Sequence, residues 1–296
     1  MSKINIQGTV DNIRSKSNVY TPLIEAIVNA IDSIIEAKQI KGEVIIKVIR
    51  ENSLQFDDTL SEIKSIEIHD NGVGFRQRNR DSFDTLYSLS KKSSGGKGFG
   101  RFMYLKYFAD VKVHSVYKEE DGKHNERSFT FGRESEIIVN EVIKQVENLE
   151  NKTIVYLNNL VKERNYDKEL ETISRKLLER LLIFFINDKF TCPEITLQEF
   201  DGSKKIVLNN YLSSDNEIKL VDTTKFSIKS QRVSVEESFT LKVFKIYFSK
   251  TDSKVILTAH NREVVESMLH NYVPEFIDEF YDEIIKGEKK QKRTTR

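Results

Sequence analysis

Three short segments in the first hundred residues constrain this chain more than any other feature of its sequence. In order, they are Glu25-Ala-Ile-Val-Asn29-Ala-Ile-Asp32, Asp70-Asn-Gly72-Val-Gly74 and Gly95-Gly-Lys-Gly98-Phe-Gly100. They predict a helix, a strand that ends in a turn, and a glycine loop before a second helix. Their order and spacing indicate one shared site.

The first segment is predicted to lie on an amphipathic helix. Thr21 is a candidate N-cap, and Pro22 suits the first turn. Glu25, Asn29 and Asp32 follow at i, i+4 and i+7 and therefore form one stripe. No cation accompanies them on this helix, which favours a chemical role over an ordinary solvated face. The apolar residues recur at helical spacing: Leu23, Ile24, Ile27, Ile31, Ile34 and Ile35.

The second segment ends a predicted strand. Ser65-Ile-Glu-Ile-His69 alternates as a half-buried strand does, and Asp70 begins the interruption. An Asp at the end of a strand can accept a hydrogen bond from an exocyclic amine such as that of adenine. Gly72 and Gly74 would let the backbone approach a flat ligand. An ordinary hairpin turn is the alternative, because Asp-Asn-Gly is a common turn sequence.

The third segment is a glycine-rich loop that leads into an apolar helix near Arg101. Backbone N–H groups of such a loop, at the start of a helix, form an anion site. Lys91 and Lys92 would add positive charge there. The spacing is not that of a Walker A loop, and the other motifs of protein kinases do not follow. A flexible linker is the alternative.

Together the three segments resemble the N-box, the D-x-G-x-G box and the G-x-x-G-x-G lid of the GHKL ATPases. That superfamily includes gyrase B subunits, heat-shock protein 90 chaperones, histidine kinases, MutL proteins and MORC ATPases. Asn151-Lys-Thr153-Ile-Val resembles a later strand whose Thr joins the adenine pocket, although Lys152 stands where the family has Gly. The resemblance covers about residues 15–160 and implies a Bergerat-type α/β sandwich, a mixed sheet faced by helices.

Carried over by position, the resemblance implies a role for each of these residues. Glu25 would be the general base that activates water, Asn29 would ligate Mg²⁺ at the phosphates of ATP, and Asp32 would support the pocket. The adenine pocket would be formed by Asp70, Gly72, Gly74 and Thr153. The phosphates would be bound by the lid and the lysines before it: Lys91, Lys92, Gly95, Gly98 and Gly100.

The ATP-binding domain is predicted at residues 1–160, a linker with a connecting helix at 161–189, and a smaller α/β domain at 190–296. Apolar residues at helical spacing predict the connecting helix from Leu170 to about Asn187. Asp201-Gly-Ser reads as a hairpin turn. Strands are predicted at 191–200, 205–208, 238–248 and 254–260, and a last helix at 262–285.

This second part resembles, less closely, the transducer domain of gyrase B, MutL and chaperone members. A generic strand–turn–helix is the alternative. In the family, a basic residue of this domain reaches the γ-phosphate, and Arg232, Lys250 and Lys254 are the candidates. The domain would be incomplete, and we expect the chain to be the amino-terminal part of a longer protein.

Charge, cysteine content and hydropathy bear on whether the chain binds nucleic acid, which compartment it occupies and whether it contacts a membrane. Lys and Arg total 47 and Asp and Glu total 46, so overall charge does not favour nucleic acid, although residues 286–296 are basic. Cys192 is the single cysteine, which indicates a reducing compartment. No apolar stretch is long enough to span a membrane, and a cytoplasmic location without membrane contact is expected.

The function that the resemblance implies is a slow Mg²⁺-dependent ATPase, in which ATP drives a conformational and dimerisation switch. Its expected partner is a second copy of the chain, bound in a nucleotide-dependent way in the full-length protein, with a protein client or DNA as the acted-on partner. Two alternatives remain. One is an ATP-sensing module without turnover, and the other is the ATPase subunit of a DNA-acting repair, topoisomerase or defence assembly.

Overall fold

The computed structural model of the chain describes residues 5–11, 17–51, 60–85, 100–147, 150–161, 164–186, 190–213, 218–229, 236–246, 254–259, 262–269, 281–285 and 288–291. The chain divides into two compact units. One comprises residues 1–208 with 259–262, and the other comprises residues 209–258 with 263–296. No helix within the described ranges is long and apolar enough to cross a membrane.

An eight-stranded mixed sheet organises the first unit. Its strands are β1 (Glu43–Arg50), β2 (Ile63–Asp70), β3 (Phe108–Lys118), β4 (His124–Phe131), β5 (Ile138–Val146), β6 (Lys152–Leu160), β7 (Glu194–Glu199) and β8 (Lys205–Val207). They lie in the order β5-β4-β3-β6-β2-β1-β7-β8. β1 and β7 are parallel, and the other neighbouring pairs are antiparallel. The predicted α/β class is confirmed.

Helices pack on this sheet and on one another. Those in the described part of the unit are α1 (Ile6–Asp11), α2 (Tyr20–Ala37), α3 (Gln77–Asp84), α4 (Phe102–Tyr107) and α5 (Leu170–Phe185). α2 contacts β1 and β2, α4 contacts β3 and α2, and α5 contacts β7, β8 and α2. Leu23, Ile27 and Ile31 of α2 are fully buried in this core, so the apolar face of the helix anchors its polar stripe.

The two ends of α2 differ from the prediction. The helix begins at Tyr20, so Thr21 lies in its first turn and is not the N-cap. Asn18 explains the earlier start, because its Oδ1 accepts from the Tyr20 N–H at 3.0 Å and its own N–H donates to Thr21 Oγ1 at 3.0 Å. Ile35, expected on the apolar face, is 38% exposed in the last turn.

β7 and β8 belong to the large sheet, although the prediction grouped them with residues 190–296. β7 pairs with β1, and β8 pairs with β7 through the predicted hairpin turn. In that turn, Gly202 has φ +76°, and the Ser203 N–H donates to Asp201 Oδ1 at 2.9 Å. The turn prediction is confirmed.

The second unit contains α6 (Asn210–Ser213) and two-stranded sheets in its described residues. The pairs are β9 (Ile218–Lys229) with β10 (Glu236–Ile246), β11 (Lys254–Ala259) with β12 (Arg262–Met268), and β13 (Tyr281–Ile285) with β14 (Glu288–Gln291). The predicted last helix is wrong, because strands occupy both ends of its range. Val264 and Val265 are β-branched, and such residues favour extended structure.

Candidate functional site

A row of directly paired residues, one from each of five neighbouring strands of the large sheet, carries polar side chains. The next row on the same face is apolar. Directly opposed residues place their side chains on the same face. The first row contains Val44, Asp70, Thr153, Ser115 and Arg127. The next row on this face contains Ile46, Ile68, Val155, Val113 and Phe129.

The four polar members of the first row are almost completely buried. Asp70 is 7% exposed, Thr153 3%, Ser115 0% and Arg127 2%. Buried polar groups require polar partners, so four such groups side by side form the candidate site. Asp70 and Thr153, which the sequence assigned to one pocket, are neighbours on β2 and β6.

The turn after β2 packs against α2 and is not part of a hairpin. β2 pairs with β1 and β6, and the chain continues into α3, so the hairpin alternative is wrong. Asp70 Oδ1 accepts from the Gly72 N–H at 2.9 Å, and the Val73 N–H donates to the Ser33 carbonyl on α2 at 3.2 Å. A Cβ at Gly72 would lie 2.2 Å from Ser33 Oγ, so the close approach to α2 requires glycine.

Ser115 and Arg127 hold the far side of this turn from two neighbouring strands. The Phe75 N–H donates to Ser115 Oγ at 3.0 Å, and the Phe75 carbonyl accepts from Arg127 Nη1 at 2.8 Å. Ser115 Oγ is also 3.0 Å from Thr153 Oγ1. Both backbone polar groups of Phe75 are therefore hydrogen-bonded, and Ser115 links the turn to Thr153.

Ser115 lies outside the three segments singled out from the sequence, although its neighbours on β3 give it a recognisable signal. β3 alternates Val111, Val113, Ser115 and Tyr117 on its buried face. A hydroxyl at an inward position of an otherwise apolar alternation indicates a required hydrogen bond.

Two members of the predicted stripe of α2, Glu25 and Asn29, lie beside the start of α4. Glu25, Asn29 and Asp32 are half-buried. Asn29 Nδ2 donates to the Tyr104 hydroxyl at 3.2 Å and lies 3.4 Å from Glu25 Oε1. A carboxylate only accepts hydrogen bonds, so the amide nitrogen is the atom that faces Glu25.

Gly100, the last residue of the third segment, lies beside Glu25 of α2. A Cβ at Gly100 would lie 2.2 Å from the Glu25 carboxyl carbon and 2.3 and 2.4 Å from its two oxygens. The backbone before α4 therefore lies directly against the Glu25 carboxylate, and any larger residue would displace it.

Arg101 adds a buried cation next to this contact. Its guanidinium lies over the rings of Phe83 and Phe102, at 5.2 and 5.0 Å from their centres, and donates to the Thr85 carbonyl at 2.7 Å. Burial lowers the pKa of Arg101 to about 10, and the nearby Glu25 acts in the opposite direction. Arg101 therefore keeps its charge at neutral pH, close to the stripe of α2.

Several predicted residues lie outside the described part of the chain, and their roles stay predictions: Lys91, Lys92, Gly95 and Gly98. Arg232 and Lys250 also lie outside it. Lys254, in the second unit, forms an ion pair with Glu266 at 2.9 Å.

The described residues contain no group of three or more His, Cys, Asp and Glu side chains arranged to hold a metal ion. A Mg²⁺ ion bound with a nucleotide needs only one or two protein oxygens beside phosphate oxygens and water. The Asn29 amide oxygen fits such a role by its chemistry.

The sequence matches no model of a known protein family and no curated protein. The functional conclusion therefore depends on the geometry of α2, the turn after β2 and the start of α4.

Proposed function

We propose that the chain is an ATP-binding and Mg²⁺-dependent ATP-hydrolysing module of the GHKL type, and that its first unit is a Bergerat-type sandwich. One observation carries the proposal: α2 contacts both other segments, the turn after β2 at Ser33 and Gly100 at Glu25. At 1.5 Å per residue these contacts are about 12 Å apart along the helix. That separation suits the distance between the base and the phosphates of an extended nucleoside triphosphate.

The polar row of the sheet binds the base in this proposal. Asp70 accepts a hydrogen bond from the exocyclic amine of adenine, while Thr153 and Ser115 supply hydroxyls beside it. Guanine presents a carbonyl at the same ring position, which would leave the Asp70 carboxylate facing another acceptor. An unsatisfied buried group costs about 1–3 kcal/mol, so adenine is preferred.

The stripe of α2 serves the phosphates. Asn29 Oδ1 would hold Mg²⁺, which would neutralise phosphate charge there. Glu25 takes a proton from the attacking water, and general base catalysis of this kind contributes about 10²–10⁴-fold. Asp32 supports the pocket one turn further along α2. Phosphoryl transfer depends mainly on positioning and electrostatics, which suits a slow enzyme with few catalytic groups.

We also propose that ATP acts as a conformational and dimerisation switch in a cytoplasmic protein. A nucleotide shifts such an equilibrium only through contacts that differ between the two states. The γ-phosphate provides them, because hydrolysis removes it. A protein client or DNA is the partner on which the switch acts.

The first test is nucleotide binding by the whole chain. Calorimetry should show Mg²⁺-dependent binding of ATP, with weaker binding of GTP. Asp70→Asn should lower ATP affinity by about tenfold or more, because its amide presents a donor to the adenine amine. The variant should still fold, since an Asn oxygen can accept from the Gly72 N–H.

Asp110→Asn is the matched control, because Asp110 is a half-buried sheet residue that accepts from Asn158 Nδ2 at 3.1 Å outside the polar row. Equal loss of affinity in both variants, or unchanged affinity in Asp70→Asn, would contradict the assignment of Asp70. A multiple-turnover assay with Mg²⁺ then separates an ATPase from an ATP-sensing module without hydrolysis.

A further inference from the structure

The amide of Asn29 has two chemically different ends, and only one of them can bind a hard cation. Oxygen ligands suit Mg²⁺, whereas the amide nitrogen is a donor. A rotation of the amide by half a turn would exchange the two atoms. Some contact must therefore select the orientation in which the oxygen is available.

Two acceptors lie on the nitrogen side of the amide. Asn29 Nδ2 is 3.2 Å from the Tyr104 hydroxyl oxygen and 3.4 Å from Glu25 Oε1. The contact with Glu25 exceeds the usual range for an N–H···O hydrogen bond. Because a carboxylate only accepts hydrogen bonds, Glu25 selects the nitrogen end of the amide. In the proposed reaction Glu25 must also turn to water, so it is a poor permanent anchor for that end.

Tyr104 is held firmly in place. It is 3% exposed, and its neighbours on α4, Met103 and Leu105, are buried as well. The Met103 N–H donates to the Gly100 carbonyl at 3.0 Å, and the Gly100 backbone lies against the Glu25 carboxyl group. The hydroxyl of Tyr104 is therefore fixed relative to both residues of α2.

We infer that Tyr104 is a positioning residue. Its hydroxyl accepts from Asn29 Nδ2 and holds the amide in the orientation that Glu25 selects, so that the amide oxygen would face Mg²⁺ and the phosphates. This inference rests on the proposed function. Tyr104 lies on the mostly apolar helix α4 and would determine Mg²⁺ affinity without contacting the ion.

The test compares Tyr104→Phe with Tyr107→Phe. Both tyrosines are buried on α4, but the hydroxyl of Tyr107 donates to Ser17 Oγ at 3.0 Å, before the start of α2. Binding of a non-hydrolysable ATP analogue is measured by calorimetry at a series of Mg²⁺ concentrations and in EDTA. Tyr104→Phe should raise the half-saturating Mg²⁺ concentration about tenfold, the usual cost of losing a partner of a metal ligand. Its affinity in EDTA should match that of the parent, and Tyr107→Phe should match the parent in both conditions.

A double-mutant cycle shows whether the effect passes through Asn29. In an Asn29→Ala background, Tyr104→Phe should cause no further change in the Mg²⁺ dependence, because the interaction is already lost. An unshifted Mg²⁺ dependence in Tyr104→Phe, or an equal shift in the Asn29→Ala background, would overturn the positioning role. Absence of nucleotide binding by the parent would instead overturn the proposed function itself.

Discussion

At the scale of single residues, the two glutamates of α2, Glu25 and Glu36, differ in what surrounds their carboxylates. Glu25 lies against the Gly100 backbone and near Asn29, whereas Glu36 is exposed near the end of the helix and meets Asn79 at 3.5 Å. Removing either carboxylate should alter helix stability little, because neither is part of the apolar face. In the proposed site, Glu25 is the one of the two that we assign to the attacking water.

We therefore expect Glu25→Ala to retain ATP binding and to lose about 10²–10⁴-fold in turnover, the contribution of a general base. Glu36→Ala should keep the parental rate. Steady-state phosphate release and calorimetric ATP affinity, measured on both variants, check this. Equal turnover in parent and Glu25→Ala would remove Glu25 from the role of base.

Ser115 supports the polar row of the sheet, to which we assign the base, because its Oγ accepts from the Phe75 N–H at 3.0 Å and lies 3.0 Å from Thr153 Oγ1. Ser115→Ala should leave the Phe75 N–H unsatisfied and lower the free energy of unfolding by about 1–3 kcal/mol. ATP affinity should fall as well, because Thr153 loses its partner.

Ser174→Ala provides the comparison, since Ser174 is equally buried but donates to the Glu171 carbonyl at 2.9 Å within α5. Denaturant unfolding should show a loss of stability in both variants, and calorimetry should show a loss of affinity only for Ser115→Ala. Unchanged affinity in Ser115→Ala would mean that Ser115 serves the fold alone.

At the scale of elements, the turn between β2 and α3 depends on a glycine for two separate reasons. Gly74 has φ +74°, and a Cβ there would lie 2.6 Å from Tyr117 Cβ. Gly202 has a similar φ of +76° but no atom within 4 Å of such a Cβ. Alanine substitutions at Gly74 and Gly202 therefore separate the cost of backbone strain from the cost of steric overlap.

Gly202→Ala should cost about 1–2 kcal/mol, the strain of an L-residue in the left-handed region. Gly74→Ala should cost about 1–3 kcal/mol more, because an extra methyl group in a packed site displaces its neighbours. Denaturant unfolding of both variants measures the difference. Equal destabilisation would show that the turn can move away from β3.

The sequence predicted those elements whose signal is local. The apolar period of α2 and α5, the alternation of β2 and the turn at Gly202 can be seen within a few residues, and the structure contains all of them. The parallel pairing of Glu43 with Glu194 could not be predicted in this way, because it joins positions far apart in the chain.

The residues of the candidate site likewise differ in whether a local sequence signal marks them. Asp70 and Glu25 were recognisable from their own segments, but Tyr104 was hidden in an apolar helix. Its hydroxyl becomes informative only when α4 is placed beside α2. Ser115 has a local signal, an inward hydroxyl in an apolar alternation, but its role depends on β6 and on the turn after β2.

At the scale of the whole molecule, every described residue of the candidate site belongs to the first unit. The large sheet, α2 and α4 all lie within residues 1–208. In the described part of the second unit, each sheet has two strands. Phe226 and Phe239 stack at 5.7 Å between ring centres on β9 and β10, yet remain 43% and 37% exposed.

The first unit has a large sheet and the second has two-stranded sheets, so we predict that the first unit folds alone more readily than the second. A fragment of residues 1–208 should unfold cooperatively and bind ATP with close to the affinity of the whole chain, because every described residue of the candidate site lies in this unit. A fragment of residues 209–296 should show little cooperative unfolding, since isolated two-stranded sheets are marginally stable. Calorimetric binding and denaturant unfolding of both fragments provide the measurement. A folded 1–208 fragment that fails to bind ATP, beside a parent that binds it, would contradict the prediction that this fragment contains every group that binding requires.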